Sequence, residues 1–143
     1  MVKKLKIRPT EPQFKSKKIK PSKIDDTERV SFNFRRLCIK RKKFDYKCCN
    51  QSYFSTLLDR LKNVSEMNRR EMTVMNKKSL RCHIINFKDK NITESTFGIH
   101  GEDVDDDAWQ FQLTSNKHGR VHGYFVGSTF YVVWFDPKHE LYK

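Results

Sequence analysis

The sequence predicts an α+β protein: an antiparallel sheet of about four strands, packed against a helical hairpin and preceded by a basic N-terminal arm. Three observations predict it. Apolar residues recur at helical spacing between residues 52 and 75, alternate with period two in short runs before and after that stretch, and show neither pattern over the first 28 residues. At 143 residues the chain is about one domain in size, so a single core over residues 29–143 is expected and a large multidomain enzyme is not.

Residues 1–28 combine lysine clusters with Pro9, Pro12 and Pro21. Such a composition cannot bury a face, and it reads as a mobile or partner-ordered arm, or as a merely solubilising tail. Val30, Phe32 and Phe34 then alternate with polar residues and predict a first strand near 29–36. Basic residues follow at Arg35, Arg36, Lys40, Arg41, Lys42, Lys43 and Lys47, with Phe44 and Tyr46 interleaved. That mixture suits phosphate contacts beside an aromatic surface, and it equally suits a solvated loop.

Ser52 is placed to cap a helix whose Tyr53, Phe54, Leu57, Leu58 and Leu61 recur as a core stripe. A second helix is expected from Glu66 to Met75, capped by Ser65, with Met67, Val74 and Met75 among its apolar contacts. The two form an αα-hairpin.

The remainder reads as β. Leu80, Cys82 and Ile84 alternate with Arg81, His83 and Ile85, and a polar loop follows to Asp107, carrying Asp103, Asp105 and Asp106. Trp109, Phe111 and Leu113 then alternate, Asn116 to Gly119 make a turn, and strands over Arg120–Val126 and Phe130–Phe135 flank a Gly127-Ser128 turn. Pro137 ends the last strand.

The formal charge is +13, with pI near 9.7, which points to a polyanionic partner and away from a neutral metabolic enzyme. Its distribution is uneven: residues 1–47 hold 17 Lys and Arg against 5 acids, whereas residues 48–143 hold 13 against 12. Cys38, Cys48, Cys49 and Cys82 form no CxxC pair and have no suitably spaced His partners, so no metal and no cofactor is expected. The chain shows neither a signal-peptide apolar run nor an apolar stretch of about 18 residues, so a cytoplasmic protein with reduced thiols and no membrane association is expected.

Alternate strand residues share a face, so Arg120, His122 and Tyr124 are expected to project together toward solvent, opposite Val121 and Phe125. A cation, an imidazole and a phenol on one face can hold a phosphate, stack a base and move a proton. From these three residues alone the simpler reading prevails, that they are ordinary exposed strand residues, because polar sheet faces are common. Lys138, His139, Tyr142 and Lys143 follow the last strand and can reach the same surface, and Arg81 and His83 can extend it.

The stretch WQFQLTSNKHGRVHGYFVGSTFYVVWFDPKHELYK, residues 109–143, resembles the C-terminal half of the RelE/ParE toxin superfamily, most of all its RelE and YoeB branch. There a strand opening with Trp leads into an Arg-bearing strand, a hairpin, a final strand and a short tail with His or Tyr. The preceding strand and helices occur in the family's order, so the resemblance spans about residues 29–143. It implies a metal-independent endoribonuclease that cleaves ribosome-bound mRNA through 2′-hydroxyl attack, with RNA, the ribosome and an antitoxin protein as partners. It also implies that Arg120 is the transition-state cation, that His139 transfers a proton, and that Tyr142 stacks or orients. His122 is a further catalytic candidate on the Arg120 face, and Arg81, His83, Tyr124, Lys138 and the Arg35–Lys43 cations are candidates for nucleic-acid contact. Two features depart from the family: His139 and Tyr142 stand three apart after Pro137, and the minimal toxin has no basic arm. A non-catalytic nucleic-acid or ribonucleoprotein binder, such as a mobile-element-encoded inhibitor, explains the charge equally well.

Overall fold

A five-stranded mixed sheet organises the chain, in the order β1-β5-β4-β3-β2. The computed structural model describes residues 27–99, 107–114 and 119–143. The strands are β1 (Ser31–Asn33), β2 (His83–Ile84), β3 (Ala108–Gln112), β4 (Arg120–Val126) and β5 (Thr129–Asp136). Nearly all of the expected N-terminal arm, most of the Asn116 to Gly119 turn and the acidic run Asp103, Asp105 and Asp106 lie outside the described residues.

The class is α+β as expected, but the sheet is neither four-stranded nor wholly antiparallel. β1 runs parallel to β5, pairing Ser31 with Thr129 and Asn33 with Tyr131, while the other pairs are antiparallel. Hairpin patterns identify only strands joined by turns, and β1 reaches β5 across almost the whole chain. β1 also stops early, because Asn33 Oδ1 accepts the Arg35 N–H at 2.9 Å in a local turn that leaves Phe34 exposed.

The first helix is followed by a shorter, irregular helical segment over 69–80 that a π-helical turn interrupts, so the second helix is not the regular partner of a helical hairpin. Helix α1 (Gln51–Ser65) buries Tyr53, Leu57 and Val64, and Leu58 points away from the core, 66% exposed. Its cap is Asn50, not Ser52: Asn50 Oδ1 accepts the Tyr53 N–H at 3.0 Å. Ser65 closes α1 instead of opening a second helix, its hydroxyl donating to the Lys62 carbonyl at 2.6 Å. Asn68 then accepts the Glu71 N–H at 2.8 Å, and a π-helical turn, Glu71–Met75, follows with its Asn76 N–H bonded to the Glu71 carbonyl five residues back. The wider turn keeps Met72 in the core and leaves Val74 and Met75 exposed. One α-helical turn, α2 (Lys77–Leu80), buries Leu80 and ends at Arg81, which takes a left-handed φ of 43°. The expected alternation holds across Arg81 through Cys82 and fails beyond His83, where Ile84 is exposed and Ile85 buried.

Both faces of the sheet are covered. On one face α1, Met72 and Leu80 pack with Phe111, Val121, Phe125, Phe130, Val132 and Phe135. On the other, Phe44, Ile85, Ile92, Phe97 and Leu141 pack on Tyr124, Val133 and Trp134. Phe44 comes from a 3-10 turn, Lys42–Phe44, and stacks on Trp134 with centroids 4.5 Å apart, a contact type that contributes about 0.5 to 1.5 kcal/mol beyond burial. Glu94 fixes that turn, pairing with Arg41 Nε and Lys43 Nζ at 2.6 Å each. The expectation that Arg120, His122 and Tyr124 line a solvent face is therefore corrected. His122 is fully buried and Tyr124 nearly so, the latter stacked on Tyr131 at 5.2 Å, because residues 85–99 and the C-terminal tail roof this face.

No helix among the described residues is long and apolar enough to cross a membrane.

Candidate functional site

A pocket opens where the start of β4 meets β2, the middle of β3 and the C-terminal tail. Its volume is ≈ 400 Å³, within the range of about 300 to 1,000 Å³ typical of small-ligand sites. Arg120 enters from β4, Gln110 from β3, Arg81, Cys82 and His83 from the approach to β2, and His139 and Tyr142 from the tail. Five residues expected from sequence to carry chemistry, Arg81, His83, Arg120, His139 and Tyr142, thus meet at one place.

Register explains the convergence. His83 pairs with Gln110 and Gln110 with His122, while Arg120 stands across from Gln112 on one side and Asp136 on the other. All these side chains share one sheet face, and Arg120, only 8% exposed, reaches the pocket from the end of that face. Arg120 Nη1 donates to the Gly119 carbonyl at 3.2 Å, and its Nε has no hydrogen-bond partner among the described residues. Gly119 itself takes φ +71°, and a β-carbon there would collide with the Asp136 carbonyl oxygen.

Asp136, fully buried, organises the tail. Its Oδ1 accepts the Glu140 N–H at 2.7 Å, its Oδ2 accepts the Leu141 N–H at 2.9 Å and His122 Nε2–H at 3.2 Å, and its carbonyl accepts the His139 N–H at 3.2 Å. Further along, Thr93 N–H donates to the Leu141 carbonyl at 2.8 Å and Lys143 N–H to the Asn91 carbonyl at 2.7 Å. Leu141 is driven into the core between these ties, which leaves His139 and Tyr142 at the pocket. The His139 and Tyr142 rings stand 5.8 Å apart, and Tyr142 lies 6.4 Å from His83 on its other side. His83 Nδ1–H donates to the Arg81 carbonyl at 3.0 Å, leaving Nε2 for a ligand.

The lining is cationic, and no carboxylate among the described residues belongs to it. Burial and the neighbouring Arg81 charge lower the Arg120 pKa, with Asp136 opposing. Burial, then the Arg120 charge, hold the His139 pKa below the ordinary imidazole value, which favours a neutral ring able to take a proton. Burial raises the Tyr142 phenol, with Asp89 adding to the effect, so it stays protonated. Cys82 is pushed up to about 12 by burial and is a packed thiol, not a nucleophile.

His122 does not reach the pocket. Burial lowers its pKa and outweighs the pull of Asp136, so the ring is neutral, with Nε2–H on Asp136 and Nδ1 lacking a partner among the described residues. Tyr124 is likewise remote from the lining, in the second core. Arg35, Arg36, Lys40, Arg41, Lys42 and Lys43 all lie outside it, Arg41 and Lys43 being held by Glu94, and Lys138 is exposed on the tail beside His139. Sequence reasoning missed Gln110 and Asp136. The alternation of Trp109, Phe111 and Leu113 already put Gln110 on the face opposite to the core, whereas nothing local reveals the bonds Asp136 makes.

Among the described residues no group of three or more His, Cys, Asp or Glu side chains could hold a metal ion. The chain matches no family model, and comparison with curated proteins and with solved structures returns no match.

Proposed function

We propose that this protein is a toxin-like endoribonuclease that cleaves single-stranded, ribosome-bound mRNA by metal-independent attack of a 2′-hydroxyl on the adjacent phosphorus. The observation that carries the reading is the convergence of two arginines, two imidazoles and a phenol from three separate segments in a pocket whose described lining has no carboxylate. Such a lining repels no phosphate and supplies each group that the transesterification needs.

In this reading Arg120 and Arg81 hold the phosphate and stabilise the charge that grows on its oxygens. Neutral His139 takes the 2′-hydroxyl proton as the 2′ oxygen bonds to phosphorus. His83, the second imidazole of the lining, serves as the general acid that gives a proton to the 5′ oxygen as the P–O5′ bond breaks. The products are a 2′,3′-cyclic phosphate and a 5′-hydroxyl, so atoms and charge balance without a co-reactant. Tyr142, between the two imidazoles, orients the nucleotide. The ribosome as the place of action, and an antitoxin as the protein's own partner, rest on the resemblance of residues 109–143 to RelE-type toxins. The net +12 of residues 1–47 supports docking to a large polyanion.

A non-catalytic ribonucleoprotein binder is the second reading, favoured by the same charge distribution, since almost all of the excess lies in residues 1–47, whose described part contributes nothing to the pocket lining. Incubation with translating ribosomes, followed by mapping of mRNA 5′ ends, separates the two. New ends that vanish with Arg120→Ala support the nuclease; binding without new ends supports the binder.

A further inference from the structure

We infer that Asp136 is a positioning residue, whose buried carboxylate fixes the C-terminal tail so that His139 and Tyr142 face Arg120 across the pocket. The inference rests on the nuclease reading of that pocket and deepens it.

Four bonds carry it. Glu140 N–H reaches Oδ1 at 2.7 Å, Leu141 N–H reaches Oδ2 at 2.9 Å, His122 holds Oδ2 from the core at 3.2 Å, and His139 N–H reaches the Asp136 carbonyl at 3.2 Å. The side chain therefore binds the two residues that directly follow His139, while its backbone binds His139 itself. That wrap lets a non-glycine residue hold φ 54° at position 139, a conformation that costs on its own and persists only where its surroundings impose it. The same carbonyl is the atom that excludes a β-carbon at Gly119, so β4 and the tail are set against one another through a single residue.

Two alternatives explain less. A purely structural acid would have no reason to bind consecutive tail amides beside the pocket, since the Thr93, Asn91 and Leu141 contacts already anchor the tail to the core. A direct catalytic role conflicts with its burial and its absence from the lining. His122 acts through Asp136, orienting Oδ2 by its Nε2–H.

The charges around this arrangement are few. Arg120 and His122 from β4 and His83 from β2 face Asp136 and His139, and burial raises the Asp136 carboxyl less than the bonds from His122, Glu140 and Leu141 lower it, so it stays ionised at neutral pH.

Asp136→Asn tests the inference, because the amide keeps the shape of the side chain yet loses one of the two acceptor oxygens. Three quantities are measured on the full chain: amide hydrogen exchange at Glu140 and Leu141, kcat and KM for RNA on translating ribosomes, and thermal unfolding. The expected result is rapid exchange at whichever of the two amides faces the new NH2 group and a kcat lower by about 100-fold, the scale of an ångström-sized misplacement, with KM changed less than about twofold because Arg81 and Arg120 still hold the phosphate. Unaltered exchange, or an unaltered kcat in a folded variant, overturns the inference. If Asp136→Asn does not fold, Glu140→Pro, which deletes one donor from an exposed position, takes its place, with exchange read at Leu141 alone and the same expected and overturning outcomes for kcat and KM. If the wild-type chain cleaves no RNA, the nuclease reading fails by itself; positioning is then judged by the exchange data and by the His139 titration, which must move to lower pH when the Asp136 charge is removed.

Discussion

His122 and Asp136 meet through a 3.2 Å hydrogen bond between two side chains that are each 0% exposed. Neither residue lines the pocket, and the Glu140 and Leu141 amides bind the same carboxylate. Taking a charged imidazole out of water costs more here than Asp136 returns, so the native ring is neutral, and its protonation opposes folding.

Stability should accordingly fall on mild acidification. The folded His122 pKa is depressed below the unfolded value of about 6.5, so the unfolded chain binds the extra proton. The stabilisation is fully present above pH 6.5 and is lost as pH falls below it, at no more than about 1.4 kcal/mol per pH unit for one proton. His139, depressed as well, adds to the same trend. Urea unfolding at pH 7 and pH 5 checks this, and His122→Gln, which retains a donor to Asp136, should flatten the dependence.

Arg120→Ala should lower kcat for RNA cleavage by about 10² to 10³, the usual cost of one transition-state donor. Arg120→Lys should recover only part of that loss, because an ammonium cannot offer the planar fork. Single-turnover kinetics on ribosome-bound mRNA measures both.

Arg120→Gln should raise the His139 pKa, since the guanidinium charge is among the causes that depress it. NMR titration of the ring in wild type and variant reads the shift without requiring activity. An unmoved titration would mean that the two side chains do not face a common pocket.

Gly119→Ala should destabilise the fold by at least about 2 kcal/mol, combining a left-handed backbone with a collision against the Asp136 carbonyl. Chemical denaturation checks the magnitude. The same variant should lose activity out of proportion to its stability, because the collision displaces the tail that carries His139.

Deletion of residues 1–28 should leave the pocket chemistry intact and reduce the salt sensitivity of ribosome binding. For every single-strand phosphate that the shortened chain no longer neutralises, the slope of log affinity against log salt becomes shallower by about 0.7. Sedimentation with ribosomes over a salt series provides the measurement.

The β half of the molecule was legible because its signals are local. Trp109 to Leu113, Arg120 to Val126 and Phe130 to Phe135 alternate, and Gly127 marks the turn between the last two, so β3, β4 and β5 lie close to where periodicity puts them. The parallel docking of β1 was not legible, since no short-range pattern encodes a partner almost a hundred residues away. The second helix was misread because Met67, Val74 and Met75 suit helical spacing, whereas the π-helical turn rotates Val74 and Met75 outward. His122 and Tyr124 were misplaced for a different reason. Period-two alternation separates two faces but cannot say that both are buried, and the roof that covers theirs comes from Phe44, from Ile92 with Phe97, and from Leu141, three segments far apart in sequence. Arg120 is itself only 8% exposed, and it lines the pocket from the strand's end.

The central claim is that this pocket breaks RNA by attack of its own 2′-hydroxyl. The most direct measurement is the chemistry of the RNA ends left on translating ribosomes treated with the wild-type protein and with Arg120→Ala. The expected ends are 2′,3′-cyclic phosphate and 5′-hydroxyl, present with the wild type and absent with the variant. Ends bearing 5′-phosphate and 3′-hydroxyl, or undiminished cleavage by Arg120→Ala, would contradict it.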